Sequence, residues 1–129
     1  LLEGTVKQVV LISPHSLVYL EVKDEQGATA MWALEATAPA GIFRNGVKRE
    51  DVRPGDRIKA RCHVLRDGAK GCLLGFVTPL HGDAARGDGN QRGTHRQAWA
   101  HRDWLAAPFP AREPDQYSSL SRRTADRID

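Results

Sequence analysis

The sequence predicts an all-β fold, a five-stranded barrel with one short helix and an extended C-terminal tail. Five segments within the first 79 residues have the alternating or β-rich composition of half-buried strands. Clusters of glycine and proline separate these segments. Beyond residue 80 the chain becomes rich in Gly, Arg, Ala, Asp, Pro and Ser. Residues 1–79 are therefore predicted to form the barrel domain and residues 80–129 the tail.

Three strands are predicted before the helix. Residues 2–12, 17–23 and 28–35 have the composition of strands, while a connection with proline at 13–16 and a glycine turn at 24–27 separate them. In the second strand, alternation predicts that one side faces the barrel interior and the other faces solvent. The residues predicted to face inward are Val18, Leu20 and Val22.

A short helix and a hairpin complete the predicted barrel. Pro39 suits the first turn of a helix and the Asn-Gly pair at 45–46 suits its end, so that Ile42 and Phe43 plug one end of the barrel. Residues 51–79 then predict a turn, a fourth strand, a tight hairpin and a fifth strand. This order of elements is that of the oligonucleotide/oligosaccharide-binding (OB) barrel. The hairpin residues predicted to face inward are Ile58, Ala60, Cys62, Val64, Cys72, Leu74 and Phe76.

The two cysteines, Cys62 and Cys72, fall on opposite sides of this hairpin and on the same predicted face. One interpretation is a cross-strand disulfide, which requires a closely spaced site and an oxidising compartment such as a periplasm. The other is a pair of buried free thiols that act as small hydrophobic side chains. The sequence leaves both interpretations open.

Over residues 2–79 the chain resembles an uncharacterised family of small exported bacterial proteins, mostly proteobacterial, with an OB-like barrel. The resemblance implies the barrel fold and export, and it implies no activity because none is established for that family. The chain departs from the family pattern at Ser13, where asparagine is usual, in its cysteine pair and in its long tail. The motifs that carry the resemblance are Gly4-Thr5-Val6, Ser13-Pro14-His15, Trp32 with Glu35, Gly55-Asp56 and Arg66-Asp67-Gly68.

The tail combines a linker-like composition at residues 81–93 with one predicted helix at about residues 95–106, which Pro108 would end. Ordering a residue costs about 1–2 kcal/mol, and this tail has few apolar groups to offset that cost. We therefore expect it to dock on other protein chains; the alternative is that it folds back over the open edge of its own barrel. The expected partner-binding anchors are Trp99, Trp104, Leu105, Phe109 and Tyr117.

A ligand site on the barrel is a second hypothesis. His15 lies in the connection between the first two strands, and with Tyr19, Trp32 and Glu35 it could line a pocket on the face where OB barrels bind ligands. The histidine and cysteine spacings predict no metal site, and no catalytic motif or cofactor-binding motif occurs. The fourth strand has a mildly basic side that is more typical of a solvated face than of a nucleic-acid interface. Its residues are Arg57, Lys59, Arg61 and His63.

The leading functional prediction is a non-catalytic accessory subunit of a larger exported assembly that docks through residues 80–129. The net charge of +3 is spread over both halves of the chain, so a nucleic-acid partner is not expected. No apolar run is long enough to span a membrane. The alternatives are an OB-type binder of single-stranded nucleic acid or saccharide, and a component of an enzyme complex that uses His15 and Glu35 as acid and base.

Overall fold

The structure is a computed structural model that describes residues 1–65, 68–88 and 96–100. It confirms an all-β fold with one short α-helix. Helix α1 (Pro39–Arg44) follows the third strand, and short 3-10 turns occupy Arg49–Asp51 and Ala84–Arg86. The strands are β1 (Leu2–Val10), β2 (His15–Lys23), β3 (Thr29–Thr37), β4 (Arg57–Val64), β5 (Gly71–Pro79) and β6 (Gln97–Ala98).

The first five strands close into a barrel. They are antiparallel in the order β3-β2-β1-β4-β5, and a parallel pairing of β3 with β5 joins the two ends. That parallel contact is short and sets Ala33 opposite Gly71 and Glu35 opposite Leu73. At Gly4 the two strands β1 and β2 approach so closely that a β-carbon would stand 2.2 Å from the carbonyl oxygen of Glu21, so only glycine fits there.

The barrel interior holds one main hydrophobic core. Helix α1 covers it with Ile42, which is fully buried, whereas Phe43 is 38% exposed and lies near the Arg49 guanidinium. The prediction that Phe43 also plugs the barrel is wrong because neighbouring residues point about 100° apart on a helix. The core residues with no exposed surface are Val6, Val18, Leu20, Leu34, Ile42, Ile58, Ala60 and Val77.

A β-bulge changes which residues of β5 face inward. Arg61 pairs with Phe76, but Cys62 pairs with Leu74, so Gly75 is an extra residue in β5. The alternation shifts by one residue there, and Val77 replaces Phe76 in the core. The predicted inward position of Phe76 is therefore wrong. The predicted burial of Val64 is also wrong, since this last residue of β4 is 45% exposed.

Strand β2 is buried on both sides rather than on one. Its inward residues Val18 and Leu20 are fully buried, as predicted, while Leu17 and Tyr19 on the outer side are only 5% and 8% exposed. These two outer residues form a second cluster with Ala33 of β3. The middle of the outer face of the β2–β3 pair is thus an apolar layer and not the solvated side that alternation predicted.

A disulfide joins Cys62 to Cys72, with 5.7 Å between their α-carbons. The two residues are diagonal neighbours, because Cys62 lies opposite Leu74 and Cys72 lies opposite Val64. Neither cysteine is free. The bond therefore ties β4 to the part of β5 that also pairs with β3, where the barrel closes.

The predicted helix at residues 95–106 is wrong over the stretch that the structure describes. Gln97–Ala98 form strand β6, which pairs antiparallel with Phe76 and Val77 of β5. Pairing with an open strand edge satisfies the backbone groups of both segments, which a helix at this place could not do for β5. Residues 101–106 lie outside the described part of the chain. No described helix is long and apolar enough to cross a membrane.

Candidate functional site

The segment formed by residues 96–100, which we name the seam segment, completes the closure of the barrel. Strand β3 covers only the first part of one β5 edge, up to Leu73. Beyond the bulge, the Trp99 amide donates to the carbonyl of Gly75 at 2.9 Å, while the Trp99 carbonyl accepts from the Thr37 amide at 3.0 Å. The seam segment thus bridges β5 and the end of β3 and fills the gap between them.

Trp99 inserts its side chain into the main core of the barrel. It is 2% exposed and belongs to the same cluster as Leu34, Ile42 and Val77. A tryptophan buries a large apolar surface, so this one residue holds the seam segment strongly. Trp99 was predicted to anchor a partner chain, but its ring is already enclosed by its own barrel. The alternative prediction, in which the tail folds over the barrel's own edge, holds for residues 96–99.

A buried chain of polar side chains fixes the position of the seam segment. The Gln97 side-chain amide donates from Nε2 to Asp51 Oδ2 at 3.0 Å and accepts at Oε1 from the Trp99 indole N–H at 3.3 Å. The same Asp51 oxygen accepts from the backbone N–H of Lys48 at 2.9 Å. Asp51 is 1% exposed. Buried hydrogen bonds of this kind favour one arrangement of the chain over others that would leave polar groups unpaired.

The second oxygen of Asp51 is less well satisfied. Asp51 Oδ1 is buried and accepts no hydrogen bond from the described residues. The Lys48 ammonium stands 4.0 Å away and supplies an opposite charge at that distance. The carboxylate is therefore held by two donors on one oxygen and by the field of a nearby cation on the other.

The stretch at residues 81–88 is tied to the barrel, although its composition resembles that of a linker. His81 Nε2 lies 3.0 Å from the carbonyl oxygen of Asp51. Arg86 donates to the carbonyl of Glu50 at 2.9 Å and forms a short ion pair with Asp56. The chain thus returns to the neighbourhood of Asp51 before the seam segment begins.

Gly87 lies close to the Asp51–Gln97 hydrogen bond. Its φ of +91° is in the left-handed region, and a β-carbon there would stand 2.4 Å from Gln97 Nε2. A second anchor lies on the exposed side, where Asn45 Nδ2 donates to the Ala98 carbonyl at 3.1 Å. Residues from four separate parts of the chain therefore hold the seam segment: the end of β3, Asn45, Asp51 and β5.

The structure does not bring the four predicted ligand residues to one face. Tyr19 pairs with Ala33 on the outer side of the sheet, whereas Trp32 pairs with Leu20 and packs against the core. His15 and Glu35 share the outer side with Tyr19, as diagonal neighbours on β2 and β3. A ligand on the outer face could meet His15 and Glu35 but not the Trp32 side of the sheet. The binding and acid–base roles of these residues stay predictions.

No metal-binding centre is evident among the described residues. Within residues 1–65, 68–88 and 96–100, no three His, Cys, Asp or Glu side chains lie close enough to hold one ion. The absence of a metal site stays a prediction. Four predicted partner-binding anchors also lie outside the described residues: Trp104, Leu105, Phe109 and Tyr117.

The barrel region matches a known protein family. A model described as a family of unknown function (DUF6152) covers residues 1–74. The chain belongs to the DUF6152 family. No curated protein and no solved structure matches the chain significantly. The DUF6152 match runs from β1 into β5 and ends before the seam segment, so it concerns the barrel and carries no activity with it. Export and a proteobacterial origin stay predictions.

Sequence reasoning missed the two polar residues that position the seam in this DUF6152 member. Asp51 stands in a turn-like stretch before the fourth strand, and nothing in its neighbours marks it as buried. Gln97 lay within the helix predicted at about residues 95–106, where no buried polar role was expected. The run Gln97-Ala98-Trp99 is the sequence feature that could have indicated a strand here. Three residues are too few to distinguish the alternation of a strand from the periodicity of a helix.

Proposed function

We propose that this chain is a non-catalytic, protein-binding accessory subunit, in which the barrel is a rigid platform and the residues after Ala100 bind neighbouring chains of a larger assembly. The observation that carries the proposal is the anchored seam segment. Because Trp99 is buried and residues 97–98 are paired with β5, the chain is fixed against the barrel up to this segment. A binding segment that starts from a fixed point loses less freedom on docking than one that hangs from a flexible linker.

The proposal assigns the partner contacts to residues beyond the seam. Trp99 is already used in the core and is left out of this set. The remaining aromatic and apolar residues of the tail are those that dominate the energetics of protein interfaces. The assigned residues are Trp104, Leu105, Phe109 and Tyr117.

We also propose that the protein works in an oxidising compartment such as the periplasm. The support is the Cys62–Cys72 disulfide, because such bonds persist outside the reducing cytosol. Titration of thiols in the denatured, unreduced protein taken directly from cells measures this. No reactive thiol is expected, and two reactive thiols per chain would contradict the proposal.

Truncation tests the accessory role. The chain is expressed with an affinity tag in its native host, as residues 1–129 and as residues 1–100. The full chain is expected to elute in a complex of fixed stoichiometry, and the shorter chain to elute alone. Thermal unfolding of the shorter chain checks that the seam and barrel remain intact. Recovery of the same complex with residues 1–100 would refute the assignment to the tail.

A pair of matched double variants refines the same experiment. Replacement of Trp104 and Phe109 by alanine is expected to weaken the complex about 100-fold or more, since two interface anchors are removed. Replacement of Ser118 and Ser119 by alanine in the same tail is expected to have little effect. Equal losses in both double variants would indicate that these aromatic residues are not the anchors.

A further inference from the structure

A cavity of about 400 Å³ lies where the seam segment meets the barrel. Three parts of the chain line it: the stretch after helix α1, the turn near Gly87, and β5 with the seam segment. Its volume falls within the range of about 300–1,000 Å³ that small-molecule sites occupy. The polar or aromatic residues that line it are Asn45, Lys48, Asp51, Phe76, Arg96 and Gln97.

The charge exposed to this cavity is positive. Arg96 is exposed and, among the described residues, no carboxylate forms an ion pair with it. The Lys48 side chain is 55% exposed, and its ammonium donates to the Ala85 carbonyl at 2.7 Å. Among the described residues it makes no other hydrogen bond, so two of its three N–H donors can face an anion. The Asp51 side chain is only 2% exposed, and its charge is directed toward Gln97 and Lys48. Lys48 and Arg96 therefore attract an anion to the cavity.

Part of the wall is apolar and lies beside the charged groups. The Arg96 guanidinium lies 4.2 Å from the centroid of the Phe76 ring, which holds the cation in place by a cation–π contact. The edge of a guanidinium held in this way keeps N–H donors for a carboxylate or phosphate. Besides Phe76, the apolar and small lining residues are Gly46, Val47, Ala84, Gly87 and Ala98.

We propose that this cavity binds a compact organic anion, with its carboxylate or phosphate at Lys48 and Arg96 and its apolar body beside Phe76. The proposal goes beyond the accessory role and does not depend on what the tail binds. Because Arg96 and Ala98 belong to the seam segment, the bound anion also stabilises the seated seam.

Titration of the full ¹⁵N-labelled chain, followed by two-dimensional NMR, tests the site. Benzoate and phenyl phosphate are expected to shift the amide signals of Gly46, Lys48 and Ala98 and to saturate. Benzylammonium and benzyl alcohol have the same ring without the anion and are expected to produce no saturable shift at these amides. The absence of saturation with both anions, or equal responses to all four probes, would overturn the proposal.

Two arginine variants distinguish a formed site from general surface charge. Arg96→Gln is expected to weaken binding about ten-fold or more, as loss of a charge-assisted contact does. Arg61→Gln removes another exposed arginine, which lies opposite Phe76 on β4 but does not line the cavity, and the affinity of this variant is expected to stay within about two-fold. Lys48→Gln is a third variant, which removes the other proposed contact from a different part of the chain. In each variant the Trp99 indole signal reports whether the seam remains seated.

Equal losses in the Arg61 and Arg96 variants would overturn the proposal in favour of diffuse attraction. Inorganic phosphate is the last probe. If it saturates the same amides as tightly as phenyl phosphate does, the cavity holds an adventitious ion only, and the claim of an organic ligand fails. None of these outcomes bears on the tail truncation, so the two proposals succeed or fail separately.

Discussion

The two halves of one β5 edge are closed in different ways. The half before the bulge pairs with β3, a neighbouring strand of the barrel, and the disulfide at Cys72 secures the other side of the same stretch. The half after the bulge pairs with the seam segment, which follows β5 in the sequence only after an intervening stretch of chain. The first closure relies on strand pairing and a covalent bond. The second relies on a two-residue strand pairing, one buried tryptophan and a few side-chain hydrogen bonds.

The difference between these two closures shows that the barrel and the tail are connected through the seam segment. Closure by β3 lies within the region that the DUF6152 family model matches, whereas closure by the seam segment lies outside it. A segment held by a small number of contacts opens at a lower free-energy cost than strands with contacts along their whole length. We therefore expect variants of the seam contacts and of the disulfide to separate the two halves experimentally.

The largest effect is expected from Trp99→Ala, which removes the main apolar contact of the seam. Loss of a buried tryptophan costs about 3–5 kcal/mol of the free energy of unfolding. Urea unfolding followed by circular dichroism measures it. Phe43→Ala, at a large apolar residue that is 38% exposed, is the control and is expected to cost about 1 kcal/mol or less. Similar losses in both variants would contradict the burial of Trp99.

Removal of the disulfide tests the half of the β5 edge that pairs with β3. The double variant Cys62→Ala with Cys72→Ala is expected to lose about 2–4 kcal/mol of the free energy of unfolding. Amide hydrogen exchange is expected to accelerate more at Leu73, beside the bond, than at Trp99 in the seam. The wild-type chain in reductant is the parallel measurement. An unchanged free energy of unfolding in both cases would show that β3 alone secures this half.

Gly87→Ala tests the buried Asp51–Gln97 hydrogen bond that holds the seam segment. The substitution strains a left-handed backbone and pushes a methyl group into the Asp51–Gln97 hydrogen bond, with an expected cost of about 2–3 kcal/mol. Gly27→Ala has a similar φ of +85° with no atom within 4 Å and is expected to cost only about 1–2 kcal/mol. Thermal unfolding compares the two. Equal costs would mean that the approach to Gln97 relaxes freely.

The smallest effect is expected from Asn45→Ala, which removes the exposed hydrogen bond to the Ala98 carbonyl. A net loss of about 0.5–1.5 kcal/mol is typical of such a bond. Lys7→Gln serves as the comparison, because its 3.7 Å ion pair with Glu21 is half-exposed and worth about 0–1 kcal/mol. Hydrogen exchange at Trp99 is expected to rise only in the Asn45 variant. A rise in both would show a global rather than a local effect.

Much of the barrel could be predicted from local pattern. The five strands, the helix that starts at Pro39 and the order of elements follow from alternation, turn residues and helix punctuation, all of which act over a few neighbouring residues. Where prediction failed, a distant contact had overridden the pattern. The extra Gly75 in β5 reverses the inward side only because β4 lacks a matching residue. The second apolar layer at Tyr19 requires β3 beside β2.

The sequence by itself determined that this is a small barrel with a cysteine pair in its last hairpin and a chemically distinct tail. Only the tertiary structure decided which residues of that tail are bound to the barrel. A single run such as Gln97-Ala98-Trp99 suits a helix or a strand equally, and the free edge of β5 selects the strand. Likewise, Asp51 becomes a buried partner of Gln97 only when residues far apart in the chain meet. Burial and pairing of this kind depend on contacts across the fold, and no local pattern encodes them.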